Sequence, residues 1–114
     1  MSICIETVGE NKEFNVATAD DITLYMTGGA GGDKTSSDDT ATEKYFDNYG
    51  AVKTYQIRTD KNIQIVSING ITFTDPISVT ALGLIEKLDT PIITKMVIRV
   101  LIDDTNLKIR VRGR

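Results

Sequence analysis

Residues 54–80, TYQIRTDKNIQIVSINGITFTDPISVT, decide the fold class. Tyr55, Ile57 and Thr59 alternate with Gln56 and Arg58, and Ile63, Ile65 and Ser67 alternate with Gln64, Val66 and Ile68. Period-two alternation sends successive side chains to opposite faces of an extended chain, and β-branched residues suit a pleated, half-buried surface. Two strands, 52–59 and 63–68, are expected here. Asn69-Gly70 then stands between 63–68 and 71–74, and the type I′ hairpin turn needs positive φ at both central residues, which these two residues tolerate best. The stretch predicts a meander of three strands. Asp75-Pro76 marks a break before a further strand from Ile77 to Thr80, because the residue before proline avoids helix and proline donates no backbone hydrogen bond.

The same alternation recurs on both sides. Ser2 to Val8 carries Ile3 and Ile5 on one face. Asp21 to Thr27 carries Ile22, Leu24 and Met26 on one face and Thr23, Tyr25 and Thr27 on the other, and Phe14 and Val16 suggest a short strand between these two. Residues 81–89 fit a helix and an interrupted strand about equally, with Gly83 weakening the helix. After Pro91, residues 92–102 and 107–111 read as a second hairpin joined across Asp103, Asp104, Thr105 and Asn106. About eight short strands, at most one short helix and turn signals at close spacing predict an all-β fold, an antiparallel β-sandwich or jelly roll, formed as one domain over residues 1–114.

Residues 28–44, GGAGGDKTSSDDTATEK, have almost no apolar side chain and predict a long loop within that domain. Its glycines Gly28, Gly29, Gly31 and Gly32, together with Asp33, are candidate contact residues. Tyr45, Phe46 and Tyr49 form an aromatic cluster that anchors the loop back onto the body.

Composition narrows the chemistry. The 114 residues contain no histidine, which removes imidazole bases, Ser-His-Asp and Cys-His nucleophiles and imidazole zinc ligands. The single cysteine, Cys4, has no internal disulfide partner and lies in an alternating run, where a buried thiol is expected. The paired acids Asp20-Asp21, Asp38-Asp39 and Asp103-Asp104 fall in turns, where solvated carboxylates are common. A non-catalytic protein without a cofactor is therefore expected. Residues 1–10, MSICIETVGE, have no secretory pattern, and no apolar run reaches the roughly 20 residues a membrane helix needs. The expectation is a protein soluble when made, without membrane partners.

Two motifs invite sharper readings. The strand DITLYMT leading into GGAGGDKTS places Gly28, Lys34 and Thr35 as a phosphate-binding loop would, but Asp33 occupies the second glycine position and no apolar helix face follows. Asp33, Thr35, Ser37, Asp39 and Glu43 supply oxygens as a calcium loop does, with the glycine and final glutamate out of place. Neither carries a site.

Charge is uneven. Residues 1–50 hold ten acids and three bases, and residues 51–114 hold six acids and ten bases, for a whole-chain net charge of −3. Lys108, Arg110, Arg112 and Arg114 alternate with Leu107, Ile109 and Val111, so the last strand carries a cationic stripe opposite a core face, with Arg99 a candidate across from it. Three roles are open to this stripe: a solvated face that discourages edge aggregation, a contact with an acidic protein surface, or a contact with nucleic acid. The last is disfavoured because no aromatic is interleaved to stack bases.

The loop GGAGGDKTSSDD, the strands of 54–80 and the basic end KIRVRGR together resemble, in type, the small virion structural proteins of tailed bacteriophages. The resemblance implies a capsid decoration (cement) protein, or a tail or head-tail connector component. Such a protein would be made in the host cytoplasm, reside in the virion and bind protein subunits or copies of itself. The alternatives are a carbohydrate-binding β-sandwich or receptor-binding tail component, for which Tyr25, Tyr45, Phe46, Tyr49 and Tyr55 would be the sugar platforms, and then a nucleic-acid-binding protein.

Overall fold

The computed structural model describes residues 9–26, 34–46, 54–80, 84–87 and 93–112. They form nine strands and one three-residue 3-10 turn, Ser36–Asp38: β1 (Gly9–Val16), β2 (Asp21–Tyr25), β3 (Glu43–Tyr45), β4 (Thr54–Thr59), β5 (Ile63–Ile68), β6 (Ile71–Val79), β7 (Leu84–Lys87), β8 (Lys95–Val100) and β9 (Thr105–Arg112). The strands make two sheets, four-stranded β1-β9-β4-β7 and five-stranded β3-β2-β8-β5-β6. The all-β sandwich expected from the alternation is the observed architecture.

Its wiring is nested. β1 pairs with β9, β2 with β8, β4 with β7 and β5 with β6, all antiparallel, while β4·β9 and β5·β8 complete the sheets. The chain thus behaves as one long hairpin, its tip at Asn69-Gly70, rolled so that successive pairs fall in alternate sheets, which is jelly-roll topology. At the tip Asn69 has φ 55° and Gly70 φ 82°, as a type I′ turn requires. β3 is an addition to the roll and pairs parallel with β2.

Several expectations are corrected. The three-strand meander does not exist: β4 and β5 lie in different sheets, and 60–62 crosses between them. Residues 92–102 and 107–111 do not form a hairpin either. β8 belongs to the five-stranded sheet and β9 to the four-stranded one, joined by a crossing at 101–104. A polar connection between two alternating runs looks the same locally whether the chain turns back within a sheet or steps across a sandwich, so distant pairing decides. The break at Asp75-Pro76 lies inside β6: residues Phe73 to Pro76 stand opposite the single residue Val66, a bulge in an edge strand where proline's missing donor is tolerated. The strand suggested by Phe14 and Val16 extends over eight residues, and within the ambiguous 81–89 segment Leu84–Lys87 is a strand. The Ser2 to Val8 strand and Cys4 lie outside the described residues.

The core fills the space between the sheets. Ile22, Leu24, Ile65, Met96 and Ile98 from one sheet meet Ile57, Leu107, Ile109 and Val111 from the other, all essentially inaccessible to solvent. Each such side chain contributes about 1.5–3 kcal/mol relative to exposure. Register thereby becomes compulsory, since a one-residue slip of β9 would bury its cations.

Residues 34–46 are not a bare loop. Thr35 and Asp38 cap the 3-10 turn reciprocally, the Tyr45 N–H donates to Asp39 Oδ1 at 2.7 Å, and Lys12 Nζ meets Asp39 Oδ2 at 2.7 Å. Lys44 Nζ sits 4.9 Å from the Phe14 ring centroid. The segment therefore closes one side of the sandwich between β1 and β3.

Candidate functional site: the cationic face of the four-stranded sheet

β9 sends Thr105, Leu107, Ile109 and Val111 into the core, so its Lys108 and Arg110 stand on the outer face and are exposed. The register brings neighbours beside them. Lys108 lies between Glu13 of β1 and Arg58 of β4, and Arg110 between Asn11 of β1 and Gln56 of β4. Arg112 takes the next register position, between Gly9 and Thr54. Asn11, Glu13, Gln56, Arg58, Lys108 and Arg110 line an open concavity of about 490 Å³.

Three cations, one carboxylate and two amides share this surface. Like charges directly opposite on neighbouring strands are destabilising, and the Arg58–Lys108 pair is such a case. Glu13 offsets part of the repulsion from the other side. None of Arg58, Lys108 and Arg110 forms an ion pair with a described residue, in contrast to Arg99 and Lys12. A surplus of guanidinium and ammonium donors flanked by amides suits carboxylates or other oxyanions, because arginine presents a planar fork of donors and lysine a compact charge.

The structure divides the residues singled out from sequence. Lys108 and Arg110 lie together in the concavity, joined by Arg58, Glu13, Asn11 and Gln56, which sequence reasoning missed. The outward parity of Gln56 and Arg58 was readable, but their position beside β9 depends on pairing about fifty residues apart. Arg99 does not belong to the face. It is on β8 in the other sheet, where Nε donates to Asp21 Oδ1 at 2.9 Å and a terminal nitrogen to Oδ2 at 3.2 Å. That hydrogen bond, reinforced by the Asp21 charge, pushes the Arg99 pKa further up. Arg114, Gly28, Gly29, Gly31, Gly32, Asp33 and Tyr49 lie outside the described residues.

The aromatics are internal. Tyr45, Phe46 and Tyr55 are buried, and half-buried Tyr25 stacks on Tyr45 with centroids 5.0 Å apart and planes 10° from parallel. The Tyr45 hydroxyl donates to Glu43 Oε1 at 2.8 Å, and that bond, with burial and the nearby charge of Glu43, raises its pKa to about 12. Among the described residues these rings offer no exposed sugar platform. The loop residues that mimic nucleotide and calcium motifs are occupied structurally: Thr35 caps the 3-10 turn, Lys34 lies 5.7 Å from the Tyr45 ring centroid, and Asp39 and Glu43 bind Tyr45. No cluster of metal-ligating side chains occurs among the described residues, and no helix there is long and apolar enough to cross a membrane.

No family model, curated protein or solved structure matches the chain.

Proposed function

We propose that this chain is a non-catalytic assembly protein whose outer four-stranded face docks on an acidic surface of another protein subunit. The carrying observation is the placement of Arg58, Lys108 and Arg110 on one concave sheet face, with two cations in direct opposition and none of the three paired with a described carboxylate. An acidic partner relieves the repulsion and supplies the missing counter-charge. The resemblance to tailed-phage virion proteins gives the setting: a capsid decoration protein or connector component filling contacts between subunits of a larger shell. The jelly-roll wiring accords with this but is shared by many functions and carries no weight alone.

The test is recovery of partners from nuclease-treated lysate of the producing cells by wild type and by Arg58→Glu/Arg110→Glu. A discrete protein partner, lost on charge reversal and weakened by salt, is the expected result. Recovery that disappears with nuclease treatment, or that is indifferent to the reversal, contradicts the proposal.

A further inference from the structure

At one end of the sandwich, three crossings between the sheets lie side by side. The Asp104 N–H donates to Ala17 O at 3.1 Å, the Ala19 N–H to Asp103 Oδ1 at 2.8 Å and the Asn106 N–H to Asp60 Oδ1 at 2.8 Å. Lys61 Nζ donates to the carbonyls of Asp103 and Asp104 at 3.2 and 2.6 Å. These bonds fix the turns and leave Asp20, Asp60, Asp103 and Asp104 exposed around Leu101 and Ile102. Leu101 and Ile102 are 47% and 46% exposed, adjacent large apolar residues turned to solvent among charges. The same chain therefore carries an acidic end with an apolar centre and a cationic concave face.

We infer that the occupant of the cationic face is the acidic end of a second copy of this chain, which seats Leu101 and Ile102 at the contact and ranges Asp20, Asp60, Asp103 and Asp104 against Arg58, Lys108 and Arg110. The inference rests on the proposed docking role of that face and names its partner. Charge complementarity supplies the match, since each surface holds an excess of the charge the other lacks. The aliphatic stems of Arg58, Lys108 and Arg110 can cover Leu101 and Ile102, which adds to ion pairs between exposed groups that contribute little by themselves. A chain cannot make this contact with itself: Asp104 and Lys108 are four residues apart, and β9, which starts just after Asp104, runs straight from the acidic end into the face. Made once per copy, contact between two different surfaces is head-to-tail and propagates into a ring or filament according to the rotation per step; exchanged reciprocally between two copies, it closes a two-fold dimer.

The experiment uses two complementary variants in sedimentation velocity. Lys108→Glu/Arg110→Glu reverses the face and keeps the acidic end. Asp20→Asn/Asp60→Asn/Asp103→Asn/Asp104→Asn neutralises the end while asparagine Oδ1 keeps the acceptors for the turn N–H groups and asparagine tolerates the positive φ of 58° at position 104. Wild type self-associates in a salt-sensitive way. Each variant alone associates at least tenfold more weakly while circular dichroism stays unchanged. Their equimolar mixture forms a dimer and stops there, because the one intact face meets the one intact end and both outer surfaces are disabled. A wild type that stays monomeric across the concentration series, variants that associate as wild type does, or folded variants that fail to dimerise when mixed each overturn the inference. If the wild type is monomeric yet still captures a different acidic protein through Arg58 and Arg110, the self-association fails and the docking role stands.

Discussion

At the scale of single residues, Tyr55 and Tyr45 show how one side chain is used in two ways. Tyr55 is 2% exposed and its hydroxyl has no hydrogen-bond partner among the described residues, so burial raises its pKa. A buried polar atom without a partner costs about 1–3 kcal/mol. Tyr55→Phe is therefore expected to leave stability unchanged or raise it by up to that amount in urea denaturation. A loss above about 1 kcal/mol would show that the hydroxyl finds a partner. Tyr45 instead donates to Glu43, and its pKa of about 12 compares with an ordinary tyrosine value of 10.0. Because the folded state holds this proton more tightly, the contribution is complete below pH 10 and is lost as pH rises from about 10 to about 12. Tyr45→Phe should flatten that part of the alkaline stability curve. An unaltered slope would mean the Glu43 bond is not held in solution. The Lys12–Asp39 pair is largely enclosed, at 12% and 24% side-chain exposure, so Asp39→Ala strands a lysine and the Tyr45 N–H and should cost about 1–3 kcal/mol. An unchanged urea midpoint would detach the 34–46 segment from the body.

At the scale of elements, the β5–β6 hairpin is the part most legible in the sequence, because its turn is decided by local backbone conformation. An added Cβ at Gly70 meets no atom within 4 Å, so Gly70→Ala suffers only from φ +82°. The cost should be about 1 kcal/mol in thermal or urea unfolding. Asn69→Ala should cost more, since Asn69 Oδ1 also accepts from the Thr94 N–H at 2.7 Å and its hydroxyl at 3.0 Å, tying the hairpin to the entry of β8. Equal stability of wild type and both variants would place the turn elsewhere. The connections at 60–62 and 101–104 were not legible. Leu101 and Ile102 extended the apolar pattern of β8 into its crossing, and DDTN resembles a hairpin loop as much as a crossing between sheets. The cationic face was half legible for the same reason: Lys108 and Arg110 follow from alternation within one strand, whereas Arg58 and Glu13 reach them only through pairing with β4 and β1.

At the scale of the whole molecule, the first described strand is locked against the last, and each inner pair closes inside the previous one. Nested pairing of distant segments makes loop-closure entropy the main kinetic obstacle, so refolding on the millisecond-to-second scale is expected. The finished roll separates its surfaces: core between the sheets, a closed side at 34–46, an acidic end at the crossings and a cationic face on β1, β9 and β4. The central claim is that this face docks on protein carboxylates. Zero-length carbodiimide coupling, which joins a lysine amine to a carboxylate in contact with it, reads that out at Lys108 in nuclease-treated lysate of the producing cells. The expected result is a Lys108 cross-link to an aspartate or glutamate of another protein molecule, this chain or a different one, that falls away in Arg58→Gln/Arg110→Gln, which removes the two charges without placing a new carboxylate beside Lys108. A Lys108 that couples only to Glu13 of its own chain, in wild type and variant alike, would contradict the account.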